Sequence, residues 1–112
     1  MRYFDEAIAG GVRTAFEDVV LGWPDVTTES ALGCPAYFAD GELFATLVTD
    51  GVVLVWLSDA DRERLDRDFQ TWPFSTDRGG DWVEVAIADG HALDSLLPFV
   101  RSSYDAARNH GQ

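Results

Sequence analysis

The chain contains no lysine: all eight of its basic side chains are arginine, set against twenty aspartates and glutamates. It also has one cysteine and two histidines in 112 residues. A lone cysteine, Cys34, cannot close an intramolecular disulfide, so the fold must stand without covalent staples. With so few soft ligands, no zinc set forms at the usual spacings, and neither a metal nor another cofactor is expected. No apolar run approaches the ~20 residues of a membrane-spanning helix. The first residues reach Asp5 and Glu6 without a basic segment or an apolar stretch. No signal peptide is therefore expected, and the expected location is the cytoplasm.

What is present argues for a folded domain. Apolar residues make up 46% of the chain and aromatic residues 12%, too much for a disordered acidic segment. The length suits a single domain spanning residues 1–112. The formal net charge of −12 is spread along the chain: residues 1–56 hold nine acids and two arginines, residues 57–112 eleven and six. A binding tail would gather such charge into one block. An acidic surface of this kind repels itself at low ionic strength, whereas molar salt shortens the screening length to about 3 Å. Short carboxylates without lysine stems therefore point to a salt-adapted cytoplasm. A GC-rich genome, which favours Arg over Lys and Asp over Asn, gives the same bias without that meaning.

Helical spacing of Ile8, Val12, Ala15, Phe16, Val19 and Val20 predicts a helix over 5–22, ended by Trp23-Pro24. Gly10-Gly11 weakens its middle. Two Asp-Gly pairs, Asp40-Gly41 and Asp50-Gly51, stand ten residues apart between strand-forming runs and predict tight hairpin turns. Strands follow at 35–39, 42–49 and 52–57, with a further one around Val26–Leu32. Ser58, with Asp61 three residues on, caps a charged helix through Phe69, where Glu63–Arg67 and Arg64–Asp68 stand at i,i+4. Residues 71–80 read as a loop or irregular strand. Val83, Val85 and Ile87 alternate with Trp82, Glu84 and Ala86 in a clear strand. A last helix covers 91–108, with Leu93, Leu96, Leu97, Val100, Tyr104 and Ala107 in one stripe and a kink or restart expected at Pro98. The order α-β-β-β-β-α-β-α implies an α+β two-layer domain. In it an antiparallel sheet, a meander of four strands plus one, carries the helices on one face.

Several residues in this order are similar to the YjbR/MmcQ family and the related TfoX N-terminal-like domains. They are Gly33 with Pro35-Ala36-Tyr37-Phe38, Gly41-Glu42-Leu43-Phe44-Ala45, Trp82-Val83-Glu84-Val85 and Ser103-Tyr104. The resemblance spans about residues 30–107. It implies a small α+β domain, proposed in some members to bind DNA, and brings no established catalytic residues. Family members often carry a basic residue where Glu42 stands and another near Trp56. Of an Asn-Lys-x-His-Trp run common in the family, Arg78-Gly79-Gly80-Asp81-Trp82 keeps only the tryptophan. The chain thus resembles a divergent, acidic member.

Three classes of function follow. In the first, a non-enzymatic module binds a protein, a small ligand or a second copy of itself through the sheet's outer face. Trp82 points there if Val83, Val85 and Ile87 face the helices, and Phe44 and Trp56 are candidates to join it, although such uniformly apolar strands do not fix the register. Loop 71–80, with Trp72 and Phe74, either covers that face as a second small core or leaves it open as an interface. The residues assigned to binding are therefore Phe44, Trp56, Trp72 and Trp82. In the second class the chain is a nucleic-acid-binding regulator, which requires the arginines to converge. Phosphate binding needs positive charge, and Arg62, Arg64 and Arg67 lie among Asp59, Asp61, Glu63, Asp66 and Asp68, so the charge disfavours it. In the third, a small enzyme uses a pocket near Cys34, His91 and Trp82, with His91 the base within reach of a nucleophile. Against it, Cys34 before Pro35 reads as a small buried hydrophobe. Asp59-x-Asp61-x-Glu63 lacks the glycine and distant glutamate of a calcium loop and fits a helix start better.

Overall fold

The computed structural model describes residues 6–31, 33–49, 51–74, 82–87 and 90–110. Helix α1 covers Glu6–Val20, followed by strands β1 (Val26–Ala31), β2 (Cys34–Ala39), β3 (Glu42–Val48) and β4 (Gly51–Leu54). Helix α2 (Asp59–Asp68), strands β5 (Thr71–Phe74) and β6 (Trp82–Ala86), and helix α3 (Gly90–His110) complete the chain. The α+β class and the four-strand meander agree with the sequence reading. The start of segment 71–80 is a sixth strand, because β5 pairs antiparallel with β6 along Thr71–Phe74. All six strands form one antiparallel sheet in the order β1-β2-β3-β4-β6-β5.

The local signals act as their chemistry requires. Asp40 and Gly41 both take positive φ, 52° and 85°, the combination that suits the right-handed twist of a two-residue hairpin. Asp50 lies outside the described residues, but Gly51 has its own reason to be glycine. A Cβ there would stand 2.1 Å from the Val85 carbonyl oxygen, so β4 and β6 pack backbone to backbone. The Ser58 side chain accepts the Asp61 amide at 3.2 Å and caps α2. Pro98 does not interrupt α3. It sits on the exposed flank of the helix, where water can serve the carbonyl its missing N–H leaves behind.

The buried side chains sort into two clusters. The larger gathers Phe16 and Val20 of α1, Leu65 of α2, and Leu93, Leu96, Val100, Tyr104 and Ala107 of α3 around Tyr37, Leu47, Leu54, Val83 and Val85 of the sheet. The smaller holds Cys34, Val48 and Val53, with Trp82 packed against it, and no helix residue belongs to it among those described. Alternation along the strands puts the two clusters on opposite faces. The buried apolar residues that α1 and α3 contribute, and Leu65 from α2, belong to the first.

Candidate functional site

The outer face is built by register. Trp72 stands opposite Glu84 across β5–β6, and Glu84 stands opposite Val53 across β6–β4. Trp82 lies two residues from Glu84 on the same strand and therefore on the same face. Val53 and Val48 extend the patch onto β4 and β3, and Cys34 onto β2. The tryptophan of β5 is 48% exposed, the most open of the large apolar side chains described, while Glu84, paired opposite it, is only 4% exposed. The exposed Trp72 thus shares one face of the sheet with the buried Val48 and Val53.

The structure divides the four tryptophan and phenylalanine candidates into two pairs. Trp72 and Trp82 share the outer face as described. Phe44 does not join them: it is fully buried in the helix-side core, with its ring 5.5 Å from that of Tyr104 in an edge-on contact. The cause is a β-bulge. Tyr37 pairs with Ala45 and Phe38 with Leu43, so Phe44 has no opposite residue. Phe44 and Ala45 consequently point to the same side, a break in alternation that bulges produce. Trp56, past the end of β4, packs on the same helix-side core. Its indole Nε1 donates to the Leu43 carbonyl at 2.9 Å.

A polar seam ties this region to α3. The buried Ser103 hydroxyl donates to the Phe44 carbonyl at 2.8 Å and accepts the Trp56 amide at 3.0 Å. The neighbouring Tyr104 hydroxyl donates to the Pro24 carbonyl at 2.6 Å. The closing Ser-Tyr pair of the sequence is thus structural, holding the bulge and the α1–β1 turn against the last helix. On the other flank, the Tyr37 hydroxyl donates to Glu17 Oε2 at 2.6 Å, and Arg13 Nε donates to the same oxygen at 3.1 Å. Burial, reinforced by that hydrogen bond and by the Glu17 charge, pushes the Tyr37 phenol well above its ordinary range.

Chemistry at the thiol is disfavoured by its surroundings. Cys34 is 5% exposed, and burial raises its pKa above the ordinary value of 9.0. A thiol held protonated at neutral pH is a poor nucleophile. Cys34 and Trp82 do share the outer-face patch. His91 belongs to the first turn of α3, and its side chain lies outside the described residues, as does that of His110. Among the described residues, no group of three or more histidine, cysteine or acidic side chains is placed to hold a metal, and no helix is long and apolar enough to cross a membrane.

Four of the described arginines meet acids, Arg13 being on Glu17 at 3.1 Å, while the expected i,i+4 pairs Glu63–Arg67 and Arg64–Asp68 do not form. Arg64 meets Asp61 at 3.8 Å, Arg101 meets Asp105 at 3.3 Å, and Arg108 meets Asp25 at 3.3 Å. Arg101 and Arg108 do converge, their guanidinium carbons 4.9 and 5.5 Å from the centre of the Tyr104 ring, and Arg101 also stacks on Trp23 at 5.0 Å. With Asp25 and Asp105 beside them, that cluster carries no net positive charge. It reads as a clasp on the α1–β1 turn and not as a phosphate cradle.

Compared with family models, with curated proteins and with solved structures, the chain matches none of them.

Proposed function

We propose that this chain is a non-enzymatic binding module that takes a protein partner or a small ligand on the outer face of its sheet. The observation that carries this reading is Trp72, 48% exposed, standing beside Trp82 and the Val48–Val53 patch on a face to which no described helix residue adds buried surface. The same reading covers self-association, with two copies meeting through these faces. The YjbR-like resemblance belongs to it as well, as does life in a salt-rich cytoplasm, where a net charge of −12 is screened. Nucleic acid is the poorer partner, given the acids paired with the arginines. Catalysis at Cys34 has the burial of its thiol against it.

The test is an NMR screen of small aromatic fragments against the protein in molar salt, reading the Val48 and Val53 methyls and the indole N–H signals. Fragments that shift these groups together support the reading. Fragments that bind but shift only residues of the helix side overturn it. Light scattering in the same buffer decides the self-association form, since a monomer at high concentration removes it.

A further inference from the structure

We infer that strand β1 is a docking edge for a second copy of this chain, the two β1 strands pairing antiparallel into one continuous sheet. This edge is separate from the outer face and does not depend on what that face binds. β1 and β5 are the two edges of the sheet, and they are guarded unequally. β5 is four residues long and carries Pro73, two devices that keep an edge from pairing with another chain. β1 has six residues, no proline and a single charge, Glu29. Its ladder with β2 runs from Val26 to Ala31 without a bulge. Thr27, Thr28, Glu29 and Ser30 are all exposed, so nothing covers this strand.

The hydrogen-bond phase of β1 fixes which amides face outward. The Asp40 amide donates to the Asp25 carbonyl at 3.1 Å, which makes these two a bonded pair at the head of the β1–β2 register. Bonded pairs alternate along an antiparallel ladder, so Thr27–Phe38, Glu29–Ala36 and Ala31–Cys34 are the bonded ones. Pro35, opposite Ser30, agrees with this phase, because a bonded position would need the N–H that proline lacks. Val26, Thr28 and Ser30 therefore turn their N–H and C=O groups away from β2, where they meet no partner among the described residues. The Thr28 hydroxyl bends back to the Ala36 carbonyl at 3.0 Å and leaves the outward amide clear.

This row of groups is self-complementary. With a two-fold axis at Thr28, that residue meets its own copy and Val26 meets the second copy's Ser30, each pair exchanging two backbone bonds. Thr27 then stands opposite the second copy's Glu29, so no like charges are opposed. An axis at Glu29 would set two carboxylates against each other, and one at Thr27 would shorten the overlap. The positive φ of Asp25, 63°, ends the strand and limits the pairing to Val26–Ser30. The net charge of −12 opposes association at low ionic strength, so the pairing strengthens as salt screens it.

The experiment follows the full chain by sedimentation and by NMR amide exchange, from micromolar to millimolar concentration at one moderate salt. The expected result is a dimer in which the Val26, Thr28 and Ser30 amides become protected as concentration rises. Thr28→Pro removes the central outward donor without touching the ladder to β2, a change an edge strand tolerates, and is expected to abolish the dimer. Thr27→Arg sets a guanidinium opposite each Glu29 and is expected to tighten the dimer about fivefold. Thr27→Glu is expected to weaken it by about the same factor, since each dimer holds two such cross-strand pairs. Thr14→Arg and Thr14→Glu make the same charge changes at an exposed position of α1 and correct for net charge. Because Thr27 is exposed, its variants keep the test alive if Thr28→Pro folds poorly. A chain that stays monomeric at millimolar concentration overturns the inference and leaves the fragment test of the outer face standing. So does a monomer whose β1 amides are protected only by an added peptide of residues 26–31, an edge that takes strands without pairing two copies. A dimer that shifts Val48, Val53 and the indole signals with the β1 amides unprotected also overturns it, and supports self-association through the outer face. Equal effects of the Thr27 and Thr14 substitutions overturn it as well.

Discussion

Replacing Ser103 with alanine isolates the seam that joins α3 to the sheet. The hydroxyl makes two bonds in a fully buried position, 2.8 Å to the Phe44 carbonyl and 3.0 Å from the Trp56 amide. A net hydrogen bond contributes about 1 kcal/mol, and a buried group deprived of its partner costs about 1–3 kcal/mol. The Phe44 carbonyl keeps a second donor, the Val55 amide at 3.2 Å, so the loss falls chiefly on the Trp56 amide. The expected destabilisation is therefore about 2.5 kcal/mol, or roughly 10 °C in Tm for a domain of this size. Urea unfolding in molar salt, followed by tryptophan fluorescence, measures it as a lower midpoint at unchanged slope. The internal comparison is Ser102→Ala. That hydroxyl bonds the Pro98 carbonyl on the exposed flank of α3, and its loss is expected to cost less than about 0.5 kcal/mol. If the two variants lose the same stability, the seam does not hold the bulge in the way the distances imply.

Three further outcomes are expected. Gly51→Ala, which drives a Cβ into the Val85 carbonyl, should cost about 3 kcal/mol by forcing β4 off β6; Gly11→Ala, where an added Cβ meets nothing within 4 Å, should gain roughly 0.5–1 kcal/mol from helix propensity. Parallel urea titrations compare the pair, and a neutral Gly51→Ala would sink the close-approach argument. Stability should be complete below pH 9 and fall above it. Burial raises Cys34 from 9.0 and Tyr37 from 10.0, so the unfolded chain releases protons that the folded chain retains. Urea midpoints between pH 8 and 11 show this, and Tyr37→Phe should flatten the part above pH 10. Stability should also rise between 0.1 and 2 M NaCl as screening relieves the net charge of −12. A flat response would leave base composition as the source of the acidic bias.

Local chemistry made much of the fold legible in advance. The Asp40-Gly41 turn was readable because positive φ at both positions is a property of those two residue types. The start of α2 was readable because a serine three residues before an acid is a local hydrogen-bonding signal. Val83, Val85 and Ile87 alternated clearly enough to fix which way β6 faces. The segment from Thr71 was ambiguous because Pro73 within a short run argues against a strand. At the edge of the sheet that objection lapses, since an outward N–H has no partner to lose.

The candidate site shows where sequence stops. Trp72 and Trp82 could be named as binding residues from type alone, and both lie on the outer face. Residue type places Phe44 there with them, and only the pairing of Tyr37 with Ala45 and of Phe38 with Leu43 shows why it turns inward. One unopposed residue in β3 reverses the facing of Phe44, and periodicity read along a single strand cannot reveal a residue skipped by its neighbour. The burial of Glu84 was hidden for the same reason. As one acid among twenty it carried no signal, until the register set it between Trp72 and Val53. The sequence by itself determined the class of fold, the turns, the caps and the acidic character, because these follow from side chains and their near neighbours. The tertiary structure decided which face each aromatic serves and which carboxylate is buried, because both depend on strands brought together from distant parts of the chain.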